Sequence, residues 1–404
     1  MPFPFALPTT SYVAFTEYFS SSTHPSLPLA ATSARAVLRD ELKKHKRLTP
    51  QSQTANLGNI LAALNEYIPY LFTLDAGLSG TVISGEEIDV VLQRELEVEW
   101  RPTLAARIPG RESSRVKLKS LETEICFAVS TLGYVYSLLA RSQLLLLYSS
   151  ATTPTPSERT ALIVSAMKYY LDANSAQTYL VNRAGQWNSL PVVPDLSQPV
   201  LSGLASLTLA EATLITVFKD DPYPAAVAQE RNKNDKEWMF KNPDISSVRA
   251  HLFARLCLAA AEHASKARAL IGKTNHIDQD LVKYLDNLRR TARSKACRFF
   301  AIDADLAGKL GEGIAWLRAA RKELGYEGAS HNANPEESRF KGLAKLKRDI
   351  AEKREDKKIE KAGDWGTDGG RLEEGRVIDM LEKKWVKMND TVLSKTVLVL
   401  YDIC

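Results

Sequence analysis

The chain has 404 residues, 45% of them hydrophobic, enough to bury one large core or two ordinary ones. Its 53 basic residues stand against 48 acidic ones, a formal net charge of +5, and this mixed surface argues against a dedicated phosphate binder, which carries a larger and more localised cationic excess. Cys126, Cys257, Cys297 and Cys404 stand far apart and form no CxxC pair, so neither a zinc knuckle nor a disulfide framework is indicated, and a reducing cytosol fits.

The N-terminal stretch lacks a basic n-region and is broken by Pro2, Pro4 and Pro8, so it reads as an extended strap over residues 1–30 and not as a secretory signal. Helical period begins at 34–45 and is plain at 57–71, where Leu57, Ile60, Leu61, Leu64, Ile68 and Leu71 share one face. Between 81 and 104 the pattern changes to Ile88, Val90, Val91 and Leu92, then Leu96, Val98 and Trp100, which predicts a small β-hairpin ended by Pro102. A long helix over 118–149, with Leu121, Ile125, Val129, Leu132, Tyr136 and Leu139 on one face and apolar residues on others, is expected to be the most buried element. Its Leu144 to Leu147 run is the most apolar stretch, and it is far shorter than the roughly 20 residues a membrane helix needs.

Helices are predicted at 158–183, 201–218, 246–271, 277–310 and 313–324, joined by segments holding Pro191, Pro194, Pro222, Pro224, Pro243, Gly272 and Gly311. No fixed-period consensus appears, so the expectation is an all-α protein with a small β-hairpin, a curved solenoid of irregular, TPR-like helical hairpins. Charge dominates 341–361, which reads as a solvated helix. Residues 363–370, rich in Gly and Asp around an isolated Trp365, read as a flexible insertion, after which Val377, Leu381, Trp385 and Met388 resume a helical stripe. The domain expectation is therefore a strap, then a single helical domain over 31–404 with a charged, flexible insertion around 341–370.

Catalytic signatures do not emerge. His24, His45, His251, His263, His276 and His331 form no HExxH, and no pair combines metal-ligand spacing with nearby carboxylates or thiols. Gly308, Gly311 and Gly313 resemble a phosphate loop only superficially: no Lys-Ser or Lys-Thr follows, no strand precedes, and a helix-turn-helix junction accounts for them. No GxSxG elbow is present. A non-enzymatic protein without cofactor or metal is the expectation.

Several stretches, in order along nearly the whole chain, resemble the Bro-one domain family. They are Val98 to Pro102, the helix opening at Leu121 with Glu122 and Glu124, the Leu-rich helix from Leu201 into Ala210, Glu211, Ala212 and Thr213, the Leu252 to Leu256 segment, and Lys309 to Ala320. Glu211 and Thr213 stand where the family carries two glutamines. The strap and the ending from Glu374 resemble a branch of the family that serves fungal sensing of alkaline pH. The resemblance implies a cytoplasmic adaptor, recruited to endosomal or cortical plasma-membrane sites, that binds the C-terminal amphipathic helix of the polymer-forming ESCRT-III subunit and other components of the pH-signalling complex. It implies no nucleic acid and membrane contact only through partners. Because the chain stops at Cys404, the second helical domain and proline-rich tail of long family members are not expected.

Carrying the family's concave-face patch onto this chain selects Leu252 and Leu256, with Val217 as a third position. The residues support a patch independently: Val248, Leu252 and Leu256 make one apolar stripe, and Phe253, Cys257, Ala260 and Ala264 make a second. One stripe suffices for the core, and the other is available to an incoming helix, with Arg249 and Arg255 placed to meet its acidic residues. Leu381 and Trp385 are candidates for the border of the same groove. The competing readings are a helix apolar on two sides for packing alone, a general Bro-one accessory protein in endosomal sorting, a solenoid adaptor for an unrelated peptide, and a nucleic-acid binder.

Overall fold

The computed structural model of the protein describes residues 2–83, 85–106, 113–148, 154–185, 193–230, 245–326 and 365–390. Among these, helices run as α1 (Leu27–Arg47), α2 (Pro50–Leu78), α3 (Leu121–Leu146), α4 (Pro156–Ala184), α5 (Gln198–Asp220), α6 (Tyr223–Glu230), α7 (Ser247–Ile271), α8 (Gln279–Leu306), α9 (Leu310–Glu323) and α10 (Arg371–Met388). Their starts are written in the sequence. Thr49 and Thr155 cap α2 and α4 ahead of Pro50 and Pro156, and Thr155 completes a capping box with Glu158. Gly308, in the left-handed region at φ 72°, makes the turn between α8 and α9 where the glycine-rich stretch predicts a junction.

Each long helix packs on the next: α1 on α2, α2 on α3, α3 on α4, α4 on α5, α5 on α7, α7 on α8 and α8 on α9, with α10 closing against α8 and α9. The result is the expected helical solenoid. A helix in such a series buries two flanks, so α3 and α5 are apolar nearly all round. Both are long and apolar enough to pass for membrane spans, yet 72% of each apolar window is buried inside the fold, which accounts for that character as core packing.

The sheet differs from the predicted hairpin. Strand β4 (Glu97–Arg101) lies between β1 (Thr9–Thr10) and β5 (Val116–Lys119), while β3 (Val91–Leu92) pairs with β2 (Phe19–Ser20). Alternation is as read, with Val98 and Trp100 inward, but alternation specifies a face and not a pairing partner. The strap supplies two of the partners, and residues 116–119, of which only 118 and 119 were expected in a helix, supply the third. The strap also enters the core: Phe5 stacks on Tyr134 of α3 at 4.7 Å between ring centroids, and Phe3 meets Tyr284 of α8 at 5.3 Å.

The flexible-insertion expectation fails at its C-terminal end. Trp365 is 6% exposed, tilted against Tyr148 at 5.2 Å, and its carbonyl accepts a 2.7 Å hydrogen bond from the Arg141 guanidinium. Asp368 accepts from the backbone N–H groups of Gly370 and Leu372, opening α10. The glycines serve geometry: Gly369 has φ 64°, and a Cβ there would stand 2.7 Å from the backbone nitrogen of Leu288. Glycine content that reads as freedom is here a tight entry turn pressed on α8. The charged stretch at 341–361 lies outside the described residues.

Candidate functional site

Helix α7 presents the two predicted stripes on different sides. Phe253, Cys257, Ala260 and Ala264 are buried, together with Ala250, Ala254, Ala261, Ala267 and Ile271, and these mostly small side chains let α7 sit close between α5 and α8. Close approach is visible at Gly203 of α5, where a Cβ would overlap the Ile271 side chain at 2.5 Å. Burial drives the Cys257 thiol up to about 12, so it is an inert packing group at neutral pH.

The other stripe faces outward. Val248 is 82% exposed and Leu252 50%, whereas Leu256 is half-buried against the core. Arg249 and Arg255, on the same helix, are exposed beside them. Among the described residues nothing covers this apolar stripe, while the opposite side of α7 is fully packed.

Three predicted patch residues are placed elsewhere. Val217 is buried in the core shared by α5 and α7. Leu381 and Trp385 are buried on the inner side of α10, and the Trp385 ring fits over Gly313 of α9, where a Cβ would approach it to 3.2 Å. A tryptophan at helical spacing serves here as a core anchor, and these three residues do not line an exposed groove. The structure adds two aromatics that sequence reasoning passed over. His251 meets Phe300 of α8 edge-on at 6.0 Å, and Phe300 meets Trp316 of α9 at 5.2 Å, both aromatics half-buried. The available signal was the Phe299 and Phe300 pair: adjacent helical residues diverge by about 100°, so both cannot enter one core. An aromatic row therefore runs across three helices, from His251 of α7 over Phe300 of α8 to Trp316 of α9, and α7 also exposes Val248 and Leu252.

The strongly coupled ionisable groups lie away from this row and inside the fold. Arg298 of α8 is fully buried, donating to Asp221 at 2.6 Å and to Glu374 at 2.6 Å, and Lys295 donates to Glu374 at 2.7 Å. Burial pushes the Glu374 carboxyl upward, but Arg298 and Lys295 outweigh it and hold it below the ordinary carboxylate value. This quartet fastens α10 to α8 and to the end of α5. Glu211 of α5 is pushed the other way, up to about 7, by burial, with the Tyr284 hydroxyl and the Phe3 N–H bonded to it. It anchors the strap and faces no solvent. Among the described residues, no three His, Cys, Asp or Glu side chains could hold a metal ion.

No family model matches the chain. A curated relative, the pH-response regulator protein palC of Emericella nidulans (strain FGSC A4 / ATCC 38163 / CBS 112.46 / NRRL 194 / M139), is 43% identical over 423 aligned positions, covering 97% of this chain and 83% of the relative. Among solved structures, the fold is similar to an ALIX BRO1 domain in complex with CHMP4C, with TM-score 0.53 and 15% identity over 100% of this chain and 91% of that one. It is also similar to ALIX in complex with the SIVmac239 PYKEVTEDL late domain, with TM-score 0.55, 15% identity and 47% of that chain covered. A structure described as the basis for endosomal targeting by the Bro1 domain gives TM-score 0.51 and 13% identity, with 89% of that chain covered. At these identities the structural likeness establishes the Bro1 fold.

Proposed function

From the premise that this chain belongs to the PalC family of pH-response regulators, we propose that it is a non-enzymatic adaptor linking ambient pH signalling to ESCRT-III. Its contact is made by seating the amphipathic C-terminal helix of the polymer-forming ESCRT-III subunit on the outer stripe of α7. The observation that carries this reading is that Val248 and Leu252 remain exposed, with Leu256 half-buried behind them, while the inner stripe is packed. The bound CHMP4C of the structurally similar ALIX domain supports an ESCRT-III ligand. Arg249 and Arg255 favour a helix with acidic residues beside its apolar face, and Phe300 and Trp316 offer an aromatic floor where hot-spot contacts concentrate.

The test is calorimetric titration of the full chain with the synthetic C-terminal helix of the ESCRT-III subunit. Saturable 1:1 binding that Leu252→Asp removes supports the reading. No heat with the peptide, or binding unchanged in Leu252→Asp, overturns it. Binding through the apolar stripe should vary little with salt, in contrast to the steep salt dependence of phosphate contacts.

A further inference from the structure

At the other end of the solenoid, the C-terminal half of α1 carries Arg39, Lys43, Lys44, Lys46 and Arg47 against Asp40 and Glu41, an excess of cations. Arg39, Lys43 and Arg47 recur at four-residue spacing, placing three cations along about 12 Å of one side of the helix. Arg115, just before β5, adds a fourth from a separate element, near enough for its charge to be felt at Lys43. That ammonium is pushed below its ordinary value by partial desolvation and then by Arg39, Arg115 and Arg47, with Asp40 opposing. Arg39 pairs with Asp40 at 2.9 Å, whereas Arg47 and Arg115 are exposed with no carboxylate bonded to them among the described residues. Clustering like charges costs stability, so a fold that keeps them together points to an anion.

The surroundings are amphipathic. Tyr12 is 60% exposed, with the Arg39 guanidinium 5.8 Å from its ring centroid, and Leu29 and Val37 are exposed along α1. Cations beside an exposed aromatic and aliphatic residues match the boundary of a bilayer, where the charges meet headgroups and the apolar groups meet the upper acyl region. A nucleic acid would take the charges and leave Leu29 and Val37 unused.

We infer that Arg39, Lys43, Arg47 and Arg115, with Tyr12, form a docking surface for an anionic phospholipid bilayer. In the series of packed helices this surface is separated from α7 by α2 to α5, so membrane contact and occupation of the α7 stripe are compatible. The chain itself then touches the membrane, in addition to any contact made through its partners.

The experiment is co-sedimentation of the full chain with phosphatidylcholine vesicles, with and without phosphatidylserine. The expected result is partitioning only onto the phosphatidylserine vesicles, lowered about 30-fold by Lys43→Gln with Arg47→Gln, since each surface cation contributes roughly a fivefold factor. Arg115→Gln, on a different element, lowers it about fivefold and keeps the test valid if the α1 pair disturbs folding. Leu252→Asp leaves partitioning unchanged, which separates this surface from the α7 reading. Equal binding to neutral vesicles, or partitioning indifferent to both Gln variants, overturns the inference. So does binding of duplex DNA that is as tight at the same salt and is weakened by the same substitutions, which reassigns the surface to nucleic acid.

Discussion

Arg35 of α1 and Glu124 of α3 form an ion pair with no access to water, Nε to Oε1 at 2.9 Å. Glu124 is also the acceptor for the Tyr67 hydroxyl of α2 at 2.7 Å and the Trp100 indole of β4 at 2.6 Å, while Arg35 continues to Thr10 and to the carbonyl of Ser11 in the strap. One carboxylate thus ties three helices to the sheet. Glu124 sits in the first turn of α3, where the helix dipole also favours an anion.

Glu124→Gln should lower unfolding free energy by about 3 kcal/mol or more, because it strands the Arg35 charge in the interior. Arg35→Met should cost a similar amount. An isolated buried pair can often be replaced by apolar residues without loss, but here Arg35→Met with Glu124→Leu leaves the Tyr67 and Trp100 donors unsatisfied, at about 1–3 kcal/mol each. The double variant is therefore expected to recover only part of the loss, as read by urea denaturation of all three proteins. Full recovery would mean that the two donors contribute nothing.

Glu211 sets a pH dependence of defined sign. Its folded pKa lies near 7, above the ordinary 4.5, because burial disfavours the charged form. A raised carboxyl contributes stability that is fully present below about 4.5 and is lost as pH rises through about 7. Glu211→Gln keeps the shape and removes the titration, so the stability difference between variant and wild type should move toward the variant by about 3 kcal/mol from pH 4.5 to pH 8. Melting temperatures of the two proteins across that range provide the measurement, and parallel profiles would show that the buried carboxyl is not coupled to folding.

Trp365 is expected to be a stability residue. Trp365→Ala removes the contact with Tyr148 and the ring beneath the Arg141 guanidinium, at 5.6 Å, and should cost about 3 kcal/mol. Deleting 363–370 should lower the melting temperature by more, since it also removes the Asp368 cap of α10 and the seat of Gly369 on Leu288. An unchanged melting temperature would restore the flexible reading.

What could be read in the sequence was whatever depends on local period and local turn chemistry. The α7 stripes and the Gly308 junction are set by residues within one or two turns of each other. What could not be read depends on contacts between distant segments. The pairing of Thr10 with Trp100, the docking of Trp365 on Arg141 and the burial of Trp385 against Gly313 join residues whose local patterns are compatible with other arrangements. The same limit decided the candidate site: Leu252 could be assigned to a face from its own helix, while Val217, Leu381 and Trp385 required knowing which neighbour covers them. Helix α6 has no signal beyond the Pro222 and Pro224 breaks that frame its start, too little to predict a helix there.

The two stripes of α7 can be separated by a pair of substitutions. Phe253 is buried, with Phe299 of α8 edge-on at 5.3 Å, so Phe253→Asp places an unpaired carboxylate in the core and should unfold the domain. Leu252 is half-exposed, so Leu252→Asp should leave the melting temperature within a few degrees of wild type. Leu256→Asp is intermediate, since that side chain is half-buried against the core, and a partial loss of stability is expected together with loss of helix capture. Truncating a central apolar anchor costs about 2 kcal/mol of binding, and a carboxylate desolvated on binding adds to it, so capture by the folded Leu252→Asp protein should fall by well over tenfold. Circular dichroism melts and peptide titrations on the three variants read the two effects separately. If Leu252→Asp unfolds the protein and Phe253→Asp does not, the faces of α7 are reversed. If both fold and both still bind, the helix-binding surface lies elsewhere on the solenoid.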